Sequence, residues 1–195
     1  MAYSQNIRAK ACIAAALFSL ACPAIAQETQ NTPPPPAPAQ TPPCDTPEHK
    51  QFNFWLGTWD VTPAGRDAPS ATNILTSEHL GCVVSEDYTT KGGYTGMSMS
   101  FYDAARKVWH QTWIGRDGGA LFIEGGLNDK GEMVLGDKGM AHKAKDAPIS
   151  RVTWTPNADG SVRQHWQSSQ DDGTTWTTVF DGLYTKKMDT KAKTR

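Results

Sequence analysis

The chain has 195 residues, 19 Lys and Arg against 20 Asp and Glu, and a formal net charge of −1. It carries no basic cluster, so it lacks the footprint of sequence-independent nucleic-acid binding. Its one extended apolar run lies at the N-terminus and falls short of the roughly 20 apolar residues a spanning helix needs, so no membrane insertion of the mature chain is expected.

Arg8 and Lys10 give a basic start, Ala11 to Ala21 an alanine-rich apolar run, and Ala24-Ile25-Ala26 a small-x-small cleavage site. Together these read as a secretory signal peptide over residues 1–26, with Gln27 as the mature N-terminus and a periplasmic or secreted destination. Ser19-Leu20-Ala21, ahead of Cys22, lacks the large aliphatic side chain that lipidation there would require. Loss of Arg8 and Lys10 with the signal moves the net charge from −1 to −3. Residues 27–43 carry Pro33-Pro34-Pro35-Pro36, Pro38, Pro42 and Pro43. Proline fixes φ and donates no backbone hydrogen bond, so this stretch reads as a disordered, extended spacer. Residues 44–187 are the size of one domain, and 188–195 read as a charged, solvated tail.

Of four cysteines, Cys12 and Cys22 leave with the signal. Cys44 and Cys82 remain, and an even pair in an exported chain predicts one disulfide. Closing that loop would stabilise the fold by roughly 4 kcal/mol in the chain-entropy view. Thr46 before Pro47 reads as the cap and first residue of a short helical turn over Pro47 to Phe54.

From Trp55 onward, β-branched and aromatic residues recur at short spacing, punctuated by glycine, asparagine and aspartate, without a helical apolar stripe. Ten strands are predicted, near 55–62, 71–80, 82–90, 94–102, 107–114, 119–127, 132–137, 149–155, 161–169 and 175–185. Asp103 to Arg106, Gly115 to Gly119, Asn128 to Gly131 and Pro156 to Gly160 are the turn segments, rich in residues that tolerate positive φ. Regular spacing of this kind makes a meander, and a long meander removes its exposed edges by closing. The expected fold is therefore all-β, an antiparallel up-and-down barrel. The longer, lysine-rich segment 136–148 is expected to form a mobile rim. Ser169 to Trp176 resembles the Asp-box hairpin of sialidases and other β proteins. In that reading Asp171 bonds the turn backbone, Gly173 takes positive φ and Trp176 packs beneath, a structural device rather than an active site.

Alternation along strands assigns faces. Trp109, Gln111 and Trp113 share one face; so do Val162, Gln164 and Trp166, with Arg163, His165 and Gln167 on the solvent side. The inward set is aromatic with isolated amides, to which Ser98 and Ser100 are added, although the phase of Met97-Ser98-Met99-Ser100 leaves open which pair points in. Glu86, Glu124 and Arg151 are further interior candidates, with an Arg151–carboxylate contact expected because a buried charge must be paired or neutral. Such a lining suits a largely apolar cavity with a few polar anchors. The competing reading is that seven tryptophans simply fill the barrel, as the side chains of barrels with roughly 8 strands can do.

Catalytic patterns are sparse. The five histidines stand apart, with no metal-ligand spacing. Gly96-Met97-Ser98-Met99-Ser100 lacks the final glycine of a nucleophile elbow. Two carboxylates such as Glu86 and Glu124 could face each other across a cavity as acid and base would, but structural or ligand-anchoring roles are the commoner fate of such residues.

QFNFWLGTWDV (Gln51 to Val61), Leu80-Gly81-Cys82, FYDAARKVWHQTW, LFIEGG, RVTWTPNADGSVRQHW and the final FDGLY resemble, in order, an uncharacterised family of exported bacterial lipocalin-like barrels, close to the domain-of-unknown-function 1579 group. The resemblance implies a calycin-like barrel in which Trp59 of the Gly-x-Trp motif plugs the closed end and Gly57 permits close backbone approach. It implies no activity. Distant calycin relatives bind small apolar molecules, and nitrobindin-like barrels bind haem through a histidine near the position of His165. Here, however, the motif continues as Asp60-Val61-Thr62 rather than into further glycines. The expectation is a non-catalytic, exported barrel binding a small apolar or aromatic molecule at Trp109, Gln111, Trp113, Gln164 and Trp166. A haem protein, or a filled barrel serving as an envelope interaction module, is the alternative.

Overall fold

The computed structural model describes residues 42–144 and 146–187. The signal segment, nearly all of the proline-rich spacer and the charged tail lie outside these residues. Ten strands run in chain order: β1 (Gly57–Pro63), β2 (Ala71–Glu78), β3 (Val83–Thr90), β4 (Thr95–Asp103), β5 (Val108–Gly115), β6 (Ala120–Leu127), β7 (Met133–Gly136), β8 (Ile149–Pro156), β9 (Val162–Ser169) and β10 (Thr177–Lys186). Each pairs antiparallel with its sequence neighbours, and β1 pairs with β10 to close the barrel. The expected all-β, ten-stranded meander is the observed architecture, with strand ends within two residues of those read from sequence. No helix among the described residues is long and apolar enough to cross a membrane.

The first predicted strand starts two residues late because Asn53–Trp55 is a 3-10 turn, preceded by another at Glu48–Lys50. Thr46 does not cap this segment. Its hydroxyl donates to the Glu48 carboxylate, 2.7 Å away, and Pro47 occupies the capping position without a side-chain bond to the backbone. The two turns fold Phe52 and Trp55 into one end of the barrel. There Phe52 stacks on Trp55 with ring centroids 5.0 Å apart and meets Trp109 and Trp154 edge-on. All four rings are buried. Burying an aromatic ring fully is worth about 1.5–3 kcal/mol, so this cluster is the main hydrophobic anchor of the domain. Cys44 is bonded to Cys82, tying the segment to the start of β3 across 38 residues.

Trp59 is fully buried beside the same cluster, its indole N–H donating to the Trp55 carbonyl at 2.8 Å. Lys186, at the end of β10, places its ammonium 3.9 Å from the Trp59 ring centre and donates to the Leu56 carbonyl. Gly57 carries φ +125°, and the Lys186 ammonium occupies the space a Cβ there would need. Trp59 thus sits at the closed end, whereas the space beside Gly57 is taken by a side chain, Lys186, rather than by the backbone approach expected of it. The closed end is plugged jointly by Trp59 and by Phe52 and Trp55 from ahead of β1.

Alternation is clean along β8, where Ser150, Val152 and Trp154 are buried between more exposed neighbours. It breaks in β10. A register shift between Thr178 and Phe180 makes Val179 a bulge residue, and a bulge bends the strand and re-aims the side chains that follow it. The 169–176 turn makes the contacts expected of it. Asp171 accepts from the Thr175 N–H at 2.7 Å, Gly173 has φ +93°, and the Trp176 indole donates to the Gly173 carbonyl at 3.0 Å. The 136–148 segment is pinned at its root. Buried Asp137 accepts from the Ser150 N–H at 2.6 Å and pairs with Lys143 at 2.9 Å.

Candidate functional site

The connections β1–β2, β3–β4, β5–β6, β7–β8 and β9–β10 all lie at the end opposite the plug. Below this open end, the upper half of the barrel holds a cavity of about 300 Å³. Its walls are Tyr88, Trp113, Leu121, Val152, Trp166 and Phe180; its floor is Glu86, Gln111, Gln164 and Tyr184. Two glycines make room for the walls. Trp113 lies across Gly96, and the Phe180 ring lies across Gly182, each occupying the place of an absent Cβ.

The floor holds a polar network hung from four strands, β2 to β5, with a separate hydrogen-bonded pair from β9 and β10 beside it. The Glu86 carboxylate accepts from Asn73 Nδ2 at 2.8 Å and from Ser98 Oγ at 2.6 Å. Gln111 Nε2 donates to Ser100 Oγ at 3.1 Å and to Ser98 Oγ at 3.3 Å. Beside it, the Tyr184 hydroxyl donates to Gln164 Oε1. The serines, not the methionines, therefore point inward on β4. Met97 and Met99 are half exposed on the outer wall. Burial pushes the Glu86 carboxyl up to about 7, despite the opposing pull of its Ser98 and Asn73 hydrogen bonds. Burial likewise raises Tyr184 well above the phenol range. The indole N–H of Trp166, a cavity-lining residue, is buried with no acceptor among the described residues.

Of the residues expected to line a cavity, Gln111, Trp113, Gln164, Trp166 and Glu86 are brought together there. Ser98 and Ser100 stand directly behind, holding Glu86 and Gln111. Trp109 shares their face but belongs to the plug, where its indole donates to Gln51 Oε1 at 3.1 Å. Two placements are corrected. Glu124 is on the outer wall, forked by Arg106 at 2.7 and 2.9 Å and 3.0 Å from His110 Nδ1. It thus stands across the wall from Glu86, and the two carboxylates do not face each other. Arg151 is also outside, and its expected carboxylate contact is not made among the described residues. It donates to Gln167 Oε1 at 2.8 Å and stacks 4.1 Å over Trp176. The histidine named for the haem alternative does not face the cavity. His165 points outward, 3.0 Å from Thr178 Oγ1, and cannot ligate a group held in the cavity.

Tyr184, Tyr88, Phe180, Leu121 and Val152 were missed by the sequence reading. Tyr88 follows from Glu86 by two-residue alternation along β3, and Val152 from Trp154 along β8. The tryptophan question has a divided answer. Trp55, Trp59, Trp109 and Trp154 fill the lower barrel, Trp113 and Trp166 line the open upper half, and Trp176 belongs to the outer turn. Comparison of the chain with protein-family models and with curated proteins finds no match.

Proposed function

We propose that this chain is an exported, non-catalytic, lipocalin-like barrel that binds one small, largely apolar molecule in its upper half. The observation that carries the reading is an apolar-walled cavity of about 300 Å³ above a floor of hydrogen-bonding groups. That volume is at the small end of ligand sites and holds about ten water molecules' worth of space. One or two rings fit it. The walls supply hydrophobic burial; the amides and Glu86 supply orientation. The Trp166 N–H is free to donate to an acceptor on the ligand. A buried donor left without a partner costs about 1–3 kcal/mol, so a ligand that satisfies it binds more tightly by a comparable amount. The Cys44–Cys82 bond is compatible with an oxidising compartment and so with export.

Tryptophan fluorescence titrated with a panel of fatty acids, retinoids and small aromatic probes tests this. Trp113 and Trp166 line the cavity, so saturable quenching by at least one chemical class is expected. Flat traces across the whole panel would overturn the reading.

A further inference from the structure

Among the cavity-lining residues there is one charge-bearing group, Glu86, and no lysine, arginine or histidine. Around it stand six aromatic rings: Tyr88, Tyr94, Trp113, Trp166, Phe180 and Tyr184. The remaining polar linings, Thr90, Gln111 and Gln164, are neutral. At the rim, Arg116 is turned to the Gly93 carbonyl and Asp117 accepts from the Tyr94 hydroxyl at 3.4 Å.

We infer that the cavity selects small organic cations, specifically primary amines on an aromatic body, with the ammonium seated at Glu86. The inference rests on the cavity being a ligand site. Aromatic faces attract cations through their ring quadrupoles, most strongly when the cation is out of water. A carboxylate at the bottom of an aromatic-walled cavity adds a charge-assisted hydrogen bond. Asn73 and Ser98 each take one bond to the two Glu86 oxygens, one apiece. A carboxylate has about four lone-pair positions, so acceptor capacity remains for an ammonium. A ligand carboxylate would meet the opposite situation. It would have to approach Glu86 with no cation lining the cavity to neutralise either charge.

The groups facing Glu86 bear on its protonation. From β2, β4, β5 and β9 these are neutral: Asn73, Ser98, Gln111 and Gln164. From β3 and β10 they are the phenols of Tyr88 and Tyr184, both held protonated by burial. Asp87, its sequence neighbour, adds a repulsion that favours the neutral acid. With no competing cation, ionisation of Glu86 near neutral pH is set by what occupies the cavity. A bound ammonium favours the carboxylate, so binding expels the proton.

The test uses three probes that share one ring and differ only in head group: tyramine (ammonium), tyrosol (hydroxyl) and 4-hydroxyphenylacetate (carboxylate), titrated calorimetrically into the purified protein. At pH 8 tyramine is expected to bind at least tenfold more tightly than tyrosol, and the acid most weakly. Tyramine affinity should rise about tenfold from pH 6 to pH 8 as Glu86 ionises, with tyrosol unmoved. Glu86→Gln should bring tyramine down to the tyrosol level. Independently of any variant, titrations at pH 6 in buffers of different ionisation heat should show about one proton released per tyramine bound. Tyrosol or the acid binding as well as tyramine, or tyramine binding without proton release, would overturn the amine inference while leaving the cavity reading intact. Failure of all three probes, together with a flat fluorescence panel, would remove both.

Discussion

Glu86 should make the fold less stable as the solution becomes less acid, over a range in which most proteins hold steady. The residue is 4% exposed, and burial raises its carboxyl from an ordinary 4.5 to about 7. Below pH 4.5 the side chain is protonated in both folded and unfolded chains and makes no difference to their balance. Between 4.5 and about 7 the unfolded chain releases its proton first. The folded state then binds more protons, so its stability falls as pH rises. At about 1.4 kcal/mol for each tenfold change in proton affinity, the loss reaches roughly 3 kcal/mol once Glu86 itself is ionised. The useful quantity is the difference between wild type and Glu86→Gln, an uncharged isostere, because contributions common to both chains cancel in it. Urea unfolding between pH 4.5 and pH 8 should show the variant gaining about 3 kcal/mol on the wild type across the interval. Parallel curves would refute the reasoning, because they would mean that Glu86 is as well solvated in the barrel as in the unfolded chain.

Replacing both Cys44 and Cys82 with serine opens a loop of 38 residues and should cost about 4 kcal/mol in urea unfolding; a midpoint unchanged from wild type would mean that the plug holds without the bond. Gly57→Ala forces a side chain onto φ +125° beneath Lys186 and should cost about 1–3 kcal/mol, read as a lower melting temperature; an unshifted melt would show that β1 relaxes freely there.

The barrel was legible because its evidence is repeated. Ten alternating segments, short turns and the Asp-box at 169–176 each point the same way, and the inner faces of β5 and β9 follow directly from period two. Alternation reports the face of a residue but not its height in the barrel. Trp109 and Trp113 share a face, yet four residues at about 3.3 Å each separate them by roughly 13 Å, so one lies in the plug and the other in the cavity. Glu124 and Arg151 were misplaced although parity held the answer. Ile123 and Val152 are core residues, so their immediate neighbours face out. Tyr184 and Phe180 share a face through Gly182 in an unbroken period, but the bulge at Val179 separates that period from the start of the strand. The contribution of Phe52 and Trp55 had no periodic signal at all, since 3-10 turns this short carry none.

The junction of β1 with β10 has a consequence for how the chain comes into being. Every other pairing joins strands adjacent in the chain, so each can form locally. Trp59 and Lys186 face each other across a seam whose halves are made at the start and the finish of the domain. Until the last ten-residue strand is delivered, the nascent protein is a curled sheet with two bare edges, Trp59 uncovered at one of them. Exposed strand edges recruit other chains, and distant pairings form slowly. A product ending before Thr177 would therefore not be a slightly shorter barrel. It would be an open ribbon with an adhesive margin, and β10 is the latch that separates the two.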